Sequence, residues 1–464
     1  MNEMQKKKST LLVMVTAIAT ILAACSGGNS APSPTASQPA ANEETPAPTE
    51  AAEEPKEVNL NGREIRISNW WDATPASDSE ADELARERIK AVEEKYNVKI
   101  SYVNTEYGVT SEKISSTVLA NDPFAEIVRV PDGDIWGLMQ GGFLTPLDDY
   151  LKNTKIAPEV IDSMRFGGDK IYGLMGWYTP NDNGMFYNKR IFKEAGIKDP
   201  QQLMEEDNWN WNTMLDAAKK LTVDTNGDGK MDQYGLSGAY YVFHEMLIPS
   251  NGGKLYDEAT QKAAFDSPQA MEALNFLYSL YNEHKVIKAN EGNDWEDPSK
   301  YFSEGNIAMY PGGLWEVEGR IQGKLKDDWG YVYMPKGPQA TAYFDVVNST
   351  ESFVIPKGVK DADIVVKIWE ELQDFDNWKQ NHRLWLETIL PDEASIANAM
   401  DDNGKVIRVT DARAGGLGVK NILGSVTEKF VKGEVTPSTG VAQVIDSAQA
   451  GIQKVLRGEP DKKE

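Results

Sequence analysis

The strongest constraint on the fold is an alternation of two hydrophobic periods along the chain. Glu64-Ile65-Arg66-Ile67-Ser68 alternates apolar and polar residues, as a short strand does. Residues 78–96 then place Leu84, Ile89 and Val92 at helical spacing. A strand pattern returns at 98–103, a helical one at 109–120, and another strand at 125–130. Antiparallel strands can be joined by a tight turn, whereas parallel strands need a crossover, usually a helix. Strand, helix and strand at this spacing predict a parallel sheet wrapped by helices. Helical patterns at 190–196, 213–221, 268–284, 361–374 and 438–456 extend the same α/β class.

The chain has 464 residues, but its start does not read as part of this fold. Lys6, Lys7 and Lys8 precede an apolar run at 11–22, shorter than the ~20 residues a membrane span prefers. The run ends in Leu22-Ala23-Ala24-Cys25, which resembles the lipobox of bacterial lipoproteins. The resemblance implies a signal peptide at 1–24, lipidation of Cys25, and an extracytoplasmic protein anchored on the outer face of the cell membrane. Residues 25–57 hold Ala, Pro, Ser, Thr and Glu with almost nothing large and apolar, so they are expected to form a disordered, extended linker. Cys25 is the only cysteine, which excludes an internal disulfide framework. A net charge of −24 argues against sequence-independent nucleic-acid binding, which needs cationic surface.

Several phrases, in order, resemble the extracytoplasmic solute-binding proteins of ABC importers, the family that includes maltose-binding protein. They are Asn121-Asp122-Pro123-Phe124-Ala125-Glu126-Ile127 with Gly142-Phe143-Leu144-Thr145-Pro146-Leu147; Ile171-Tyr172-Gly173-Leu174 with Gly184-Met185-Phe186-Tyr187-Asn188-Lys189; Trp209-Asn210-Trp211; and Phe302-Ser303-Glu304-Gly305-Asn306-Ile307-Ala308-Met309 with Gly312-Gly313-Leu314-Trp315. The resemblance fades after about Ser395. It implies two α/β lobes joined by a hinge, with ligand held in the cleft between them. Mapped onto this chain, lobe one takes 58–175 plus 340–390, and lobe two takes 176–339 plus 391–464. It also implies ABC permease subunits as membrane partners and a monomeric, non-enzymatic chain.

A carbohydrate cleft needs flat aromatic faces for sugar C–H groups and planar acids or amides for hydroxyls. Twelve tryptophans and 18 tyrosines supply the first requirement. Clusters pairing both occur at Trp70 and Trp71 beside Asp72, at Asp132 and Asp134 beside Trp136, at Trp177 and Tyr178 beside Asp182, and at Trp315 with Glu316. Each follows a predicted strand or flanks a glycine turn, where open α/β sheets bind ligands. Trp70, Trp71, Asp132, Asp134, Trp177, Tyr178, Trp315 and Glu316 are therefore the candidate ligand-binding residues, and an oligosaccharide is the expected ligand. For Asp132 and Asp134 the competing reading is a solvated Asp-Gly-Asp turn. Trp209, Trp211, Trp329, Trp369, Trp378 and Trp385 read as core. Trp295 between Asp294 and Glu296 fits either a cleft or a surface loop.

Asp224-Thr225-Asn226-Gly227-Asp228-Gly229-Lys230-Met231-Asp232 matches the first nine positions of an EF-hand-like loop. Asp224, Asn226, Asp228 and Asp232 offer side-chain oxygens and Lys230 its carbonyl, so the loop is a candidate structural Ca2+ site. Gly235 stands at position twelve, where the full pattern has a bidentate glutamate.

Enzyme classes find less support. His244-Glu245 opens like a zinc-protease motif, but Ile248 occupies the second histidine's place. No Gly-x-Ser-x-Gly elbow and no P-loop occurs. A secreted carbohydrate hydrolase remains the rival class, with Glu316 and Glu318 as its carboxylate pair. A binding protein for a peptide or other non-sugar solute is the second alternative.

Overall fold

The computed structural model describes residues 58–457 apart from 157, 159–160, 162–163, 166–169, 176–181, 348–350, 402–403 and 411. The signal segment, Cys25, the linker, Trp177 and Tyr178 lie outside the described residues. In chain order the strands are β1 (Arg63–Asn69), β2 (Val98–Asn104), β3 (Ile127–Pro131), β4 (Gly173–Leu174), β5 (Asn183–Asn188), β6 (Tyr234–Leu236), β7 (Tyr256–Asp257), β8 (Lys262–Ala263), β9 (Ile307–Gly313), β10 (Trp329–Val332), β11 (Tyr343–Val347), β12 (Glu351–Val354) and β13 (Val406–Thr410). One sheet has the order β2-β1-β3-β12-β4 and another the order β10-β5-β9-β6. Two short ribbons pair β11 with β13 and β7 with β8.

The βαβαβ start is as the periodicity predicts. β1 pairs in parallel with β2 and β3, through helices α1 (Glu80–Tyr96) and α2 (Thr110–Leu119). Ser79 caps α1 by accepting from the Asp82 amide, and Glu80, Asp82 and Glu83 fill the first turn, where acids suit the helix dipole. Asn97, in the left-handed region at φ 47°, ends it and feeds β2. Arg88 with Asp374 (3.1 Å), and Lys95 with Glu371 (2.6 Å), clamp α1 to the distant helix Ala362–Gln373. Glu126, 7 % exposed, accepts from the backbone and guanidinium of Arg66 and from Arg63, which ties the entry of β3 to β1.

Antiparallel strands join the parallel ones that the pattern predicts. β12 runs antiparallel to both β3 and β4, and β5 runs antiparallel to both β9 and β10. The parallel rule holds for strands delivered by an adjacent crossover helix. β12 instead enters from more than 170 residues downstream of β4, so no such helix sets its direction. The chain leaves the first sheet after β4, builds the second with β5, β6, β9 and β10, and returns with β12.

β5 and β9 are buried along their whole length, and Phe186 on β5 packs among Phe302, Tyr310, Trp329 and Tyr331. Leu386, Ile389 and Ile396 join this cluster. Trp209, Trp211, Trp329 and Trp369 are buried, as expected, whereas Trp378 and Trp385 are only partly buried. Trp211 stacks on Phe276 at 4.5 Å, and Trp209 donates to the Tyr333 carbonyl at 2.7 Å.

His244, on the helix Tyr240–Ser250, is 1 % exposed, and neither ring nitrogen has a hydrogen-bond partner among the described residues. Burial pushes its pKa from 6.5 down to about 4, with the neighbouring Glu245 opposing. The unfolded chain therefore takes up a proton that the native state refuses. The contribution of neutral His244 is full above pH 6.5 and is lost as pH falls toward 4. Between pH 7 and 5 the wild type is expected to lose about 2 kcal/mol more stability than His244→Leu. Urea unfolding at the two pH values checks this; equal losses refute it.

Candidate functional site

The first wall of the site lies where β1, β2 and β3 end. Trp70 and Trp71 follow β1 directly, and Tyr107 follows β2. Trp70 meets Tyr107 edge-on at 4.8 Å, while Trp71 and Tyr107 are 47 % and 65 % exposed. Asp132 and Asp134 do not form a free turn: they open helix α3 (Asp132–Gln140), with Pro131 as its N-cap. Acids there suit the helix dipole. Asp134 accepts from the Ser111 hydroxyl at 2.7 Å.

Arg129, on β3, supports this wall. Its guanidinium carbon lies 5.4 Å from the Trp70 ring, 4.6 Å from Trp71 and 5.5 Å from Phe353 on β12, within cation–π range. Burial lowers its pKa to about 10, and the negative charge of Asp182 opposes the shift. Burial likewise raises the Asp182 carboxyl to about 6, against the pull of Arg129. Asp182 immediately precedes β5, and its carbonyl accepts from the Leu314 amide at 2.9 Å. The two residues thus couple the first sheet to the second.

The second wall follows β9. Trp315 is 50 % exposed and stacks on Trp295, itself 52 % exposed, with centroids 5.2 Å apart and planes 16° apart. Arg320, on the short π-helix Val317–Ile321, lies 4.5 Å from the Trp295 ring and 4.9 Å from Trp315. Beneath them Glu316 is 4 % exposed and accepts from the Tyr310 hydroxyl (2.5 Å), Arg320 (3.0 Å) and the Gly313 amide (3.2 Å). Glycine is required in the preceding turn. A Cβ at Gly312 would stand 2.6 Å from the Glu316 carboxylate, and one at Gly313 2.5 Å from the Trp315 indole nitrogen.

The candidate residues therefore divide. Trp70, Trp71 and Asp134 gather on the first wall, with the backbone of Asp132 beside them, and Trp315 stands on the second. Glu316 is turned inward: its carboxylate is committed to three donors and props Trp315 from below. Tyr107, Arg129 and Arg320 have no place in the sequence reading, where Asp182 figures only as the acid beside Trp177 and Tyr178, and Trp295 fits either a cleft or a surface loop. Trp295 carries the same signal as the others, an indole between acids, whereas Arg129 carries none.

The loop 224–232 is closed at its base by hydrogen bonds between Val223 and Gln233. Gly227 and Gly229 take φ of 77° and 87°, as the tight turn requires. Asp224 accepts from the amides of Gly227 and Gly229, and Asp232 from Thr225 and Asn226. These donors hold both carboxyls below the usual range. The oxygens are of the hard type calcium takes. Position twelve has no space for a carboxylate, because a Cβ on Gly235 would lie 2.3 Å from the Ala218 backbone. Among the described residues no group of three His, Cys, Asp or Glu side chains is placed to hold a metal ion.

Removing one partner of a buried ion pair leaves the other charge uncompensated. Glu316→Ala is expected to lower stability by about 3 kcal/mol, because Arg320 would lose its counterion. Denaturant unfolding measures this; a loss no larger than that of an exposed pair would refute the propping role.

Residues 73–378 match the family model described as bacterial extracellular solute-binding protein. A maltotriose-binding protein of Pyrococcus abyssi is 22 % identical over 44 % of this chain and 42 % of its own length. A putative binding protein of Brucella abortus is 24 % identical over 48 % and 53 %. The chain thus spans about half the length of the curated relatives it matches. Among solved structures, the maltose/maltodextrin-binding domain of Bdellovibrio bacteriovorus bound to maltotriose has a TM-score of 0.59 at 19 % identity, covering 85 % of this chain and all of that one. A solute-binding protein of Thermotoga lettingae bound with tagatose has a TM-score of 0.59 at 22 % identity, covering 86 % and all of it. The fold they share is that of two α/β lobes, and the family match spans well over half of the sequence: the chain belongs to the bacterial extracellular solute-binding proteins.

Proposed function

We propose that this chain is the lipid-anchored substrate-binding subunit of an ABC importer and captures an oligosaccharide between its lobes. The observation that carries the reading is the pair of exposed aromatic walls, Trp71 with Tyr107 and Trp315 with Trp295, at the ends of two separate sheets. Aromatic faces flanked by Asp134 and Asp182 are what sugar rings with hydroxyl rims need. Similar proteins carry names or ligands that are sugars, the trisaccharide maltotriose and the monosaccharide tagatose, which supports a carbohydrate ligand. The lobes take their cores from the two sheets, near the 58–175 plus 340–390 and 176–339 plus 391–464 division.

The rest of the reading follows from the sequence. Cys25 carries the lipid, residues 25–57 tether the folded part to the outer face of the membrane, and a monomer delivers ligand to permease subunits. Function rests on a closed state that binds ligand more tightly than the open one. The chain performs no hydrolysis: Glu316 is consumed by internal donors, which leaves its expected partner Glu318 without a facing carboxylate. Asp224, Asn226, Asp228, Lys230 and Asp232 hold a structural Ca2+ away from the cleft.

Ligand that binds only the native state raises stability by about 2.7 kcal/mol at a hundredfold excess over Kd. A thermal-shift screen of neutral oligosaccharides is expected to find one that raises Tm; no shift across the panel, or turnover of a glycan, overturns the reading. Calcium is expected to raise Tm in a chelator-reversible way, and Asp228→Ala to abolish that shift. An equal shift in the variant removes the calcium site.

A further inference from the structure

Trp295 and Trp315 are separated by 20 positions, yet their rings stack almost parallel. Each is about half exposed, 52 % and 50 %. A stacked pair hides its inner faces from solvent, so this exposure belongs to the outer faces and edges.

The loop that brings Trp295 there is fastened at several points. Asn293 Oδ1 accepts from the amides of Trp295 and Glu296, and Asp297 accepts from those of Glu291 and Asn293. Arg320 then holds Trp295 twice. Its guanidinium donates to the Trp295 carbonyl at 2.8 Å and lies 4.5 Å from the ring. The same guanidinium reaches the Trp315 ring and is fixed by buried Glu316 at 3.0 Å. A planar, multidentate group is suited to this; a lysine ammonium would hold the charge pair but not both rings and the carbonyl.

The charge of Arg320 is therefore spent inside the wall, against a carboxylate whose side chain is 5 % exposed. On the other wall Arg129 faces the charge of Asp182. Both guanidinium groups near the aromatic faces have acid counterparts supplied by the protein, and Asp134 adds another acid.

We propose that Trp295 is a ligand-binding residue in its own right, joined to Trp315 as one rigid double-indole platform by the positioning residue Arg320, and that the platform takes an uncharged glycan rather than an acidic one. This rests on the carbohydrate reading above. Trp295 sets which glycans fit, because its exposed edge lies beside that of Trp315 and widens the indole surface that a glycan crossing the edge of the pair meets.

The test uses the mature full chain with maltotriose, cellotriose, xylotriose and trigalacturonate, by calorimetric titration. A neutral trisaccharide is expected to bind and trigalacturonate to bind far more weakly. Trp295→Ala is expected to weaken the best neutral ligand roughly tenfold at unchanged Tm, with Trp295→Phe between it and the wild type. Stacked indoles couple their electronic transitions, giving a paired circular-dichroism band in the ultraviolet. Arg320→Lys is expected to diminish that band and weaken binding, a change that a purely structural charge pair would not produce. Unchanged affinity in Trp295→Ala, tighter binding in that variant, or a preference for trigalacturonate overturns the inference. If the wild type binds none of the four and no oligosaccharide of the wider panel shifts Tm, the carbohydrate reading falls and the ligand part of this inference with it. The circular-dichroism band then still decides whether Arg320 holds the pair.

Discussion

The antiparallel pairing of β12 with β3 is the constraint on which the first wall depends. β3 ends the parallel run that the sequence builds locally, and without β12 it would be an edge. With β12 beside it, Val128 and Val130 are fully buried and the strand is fixed on both sides. The register sets Phe353 directly opposite Arg129. Side chains alternate along a strand, so Arg129 points to the face opposite its buried neighbours. There it meets Phe353 and the two indoles that follow β1. A shift of one residue in this pairing would carry Phe353 to the other face of the sheet and away from Arg129.

The second wall follows a different logic, in which backbone space decides. β9 ends in Gly312 and Gly313 because Glu316 and Trp315 fold back over them. This return puts a carboxylate under the indole, and the carboxylate in turn orders Arg320. Burying Glu316 is unfavourable by itself, which is why desolvation raises its pKa. Three donors offset that cost and leave the group with one arrangement. A buried ion pair of this kind contributes more to shape than to stability, since apolar packing of similar volume would serve stability as well.

What was legible in the sequence follows from the range of the forces involved. The βαβαβ start could be read because its strands are half-buried and its helices amphipathic, so the pattern repeats within a few residues. β5 and β9 could not, because they are buried on every side and show no alternation. The direction of β12 depends on a partner encoded more than 200 residues earlier. Of the site, the indoles beside acids were visible by composition. Their supports were not: Arg129 is a single charge inside a strand pattern, and Asp182 reads only as the acid beside Trp177 and Tyr178, with nothing local to show that it faces Arg129. Glu316 was read as facing ligand for the same reason, since adjacency to Trp315 in sequence says nothing about which side of the turn it takes.

Asp182 gives the two walls a common origin. It stands at the first return of the chain after β4, its charge acts on Arg129 of the first sheet, and its carbonyl holds Leu314, next to Trp315 of the second. A hinge protein needs some contacts between its lobes to persist while others form and break. A group bonded through its backbone to one sheet and through its charge to the other suits the persistent role. The strength of that charge contact depends on how much water reaches it, because burial both weakens the ionised form and strengthens its attraction to a nearby cation.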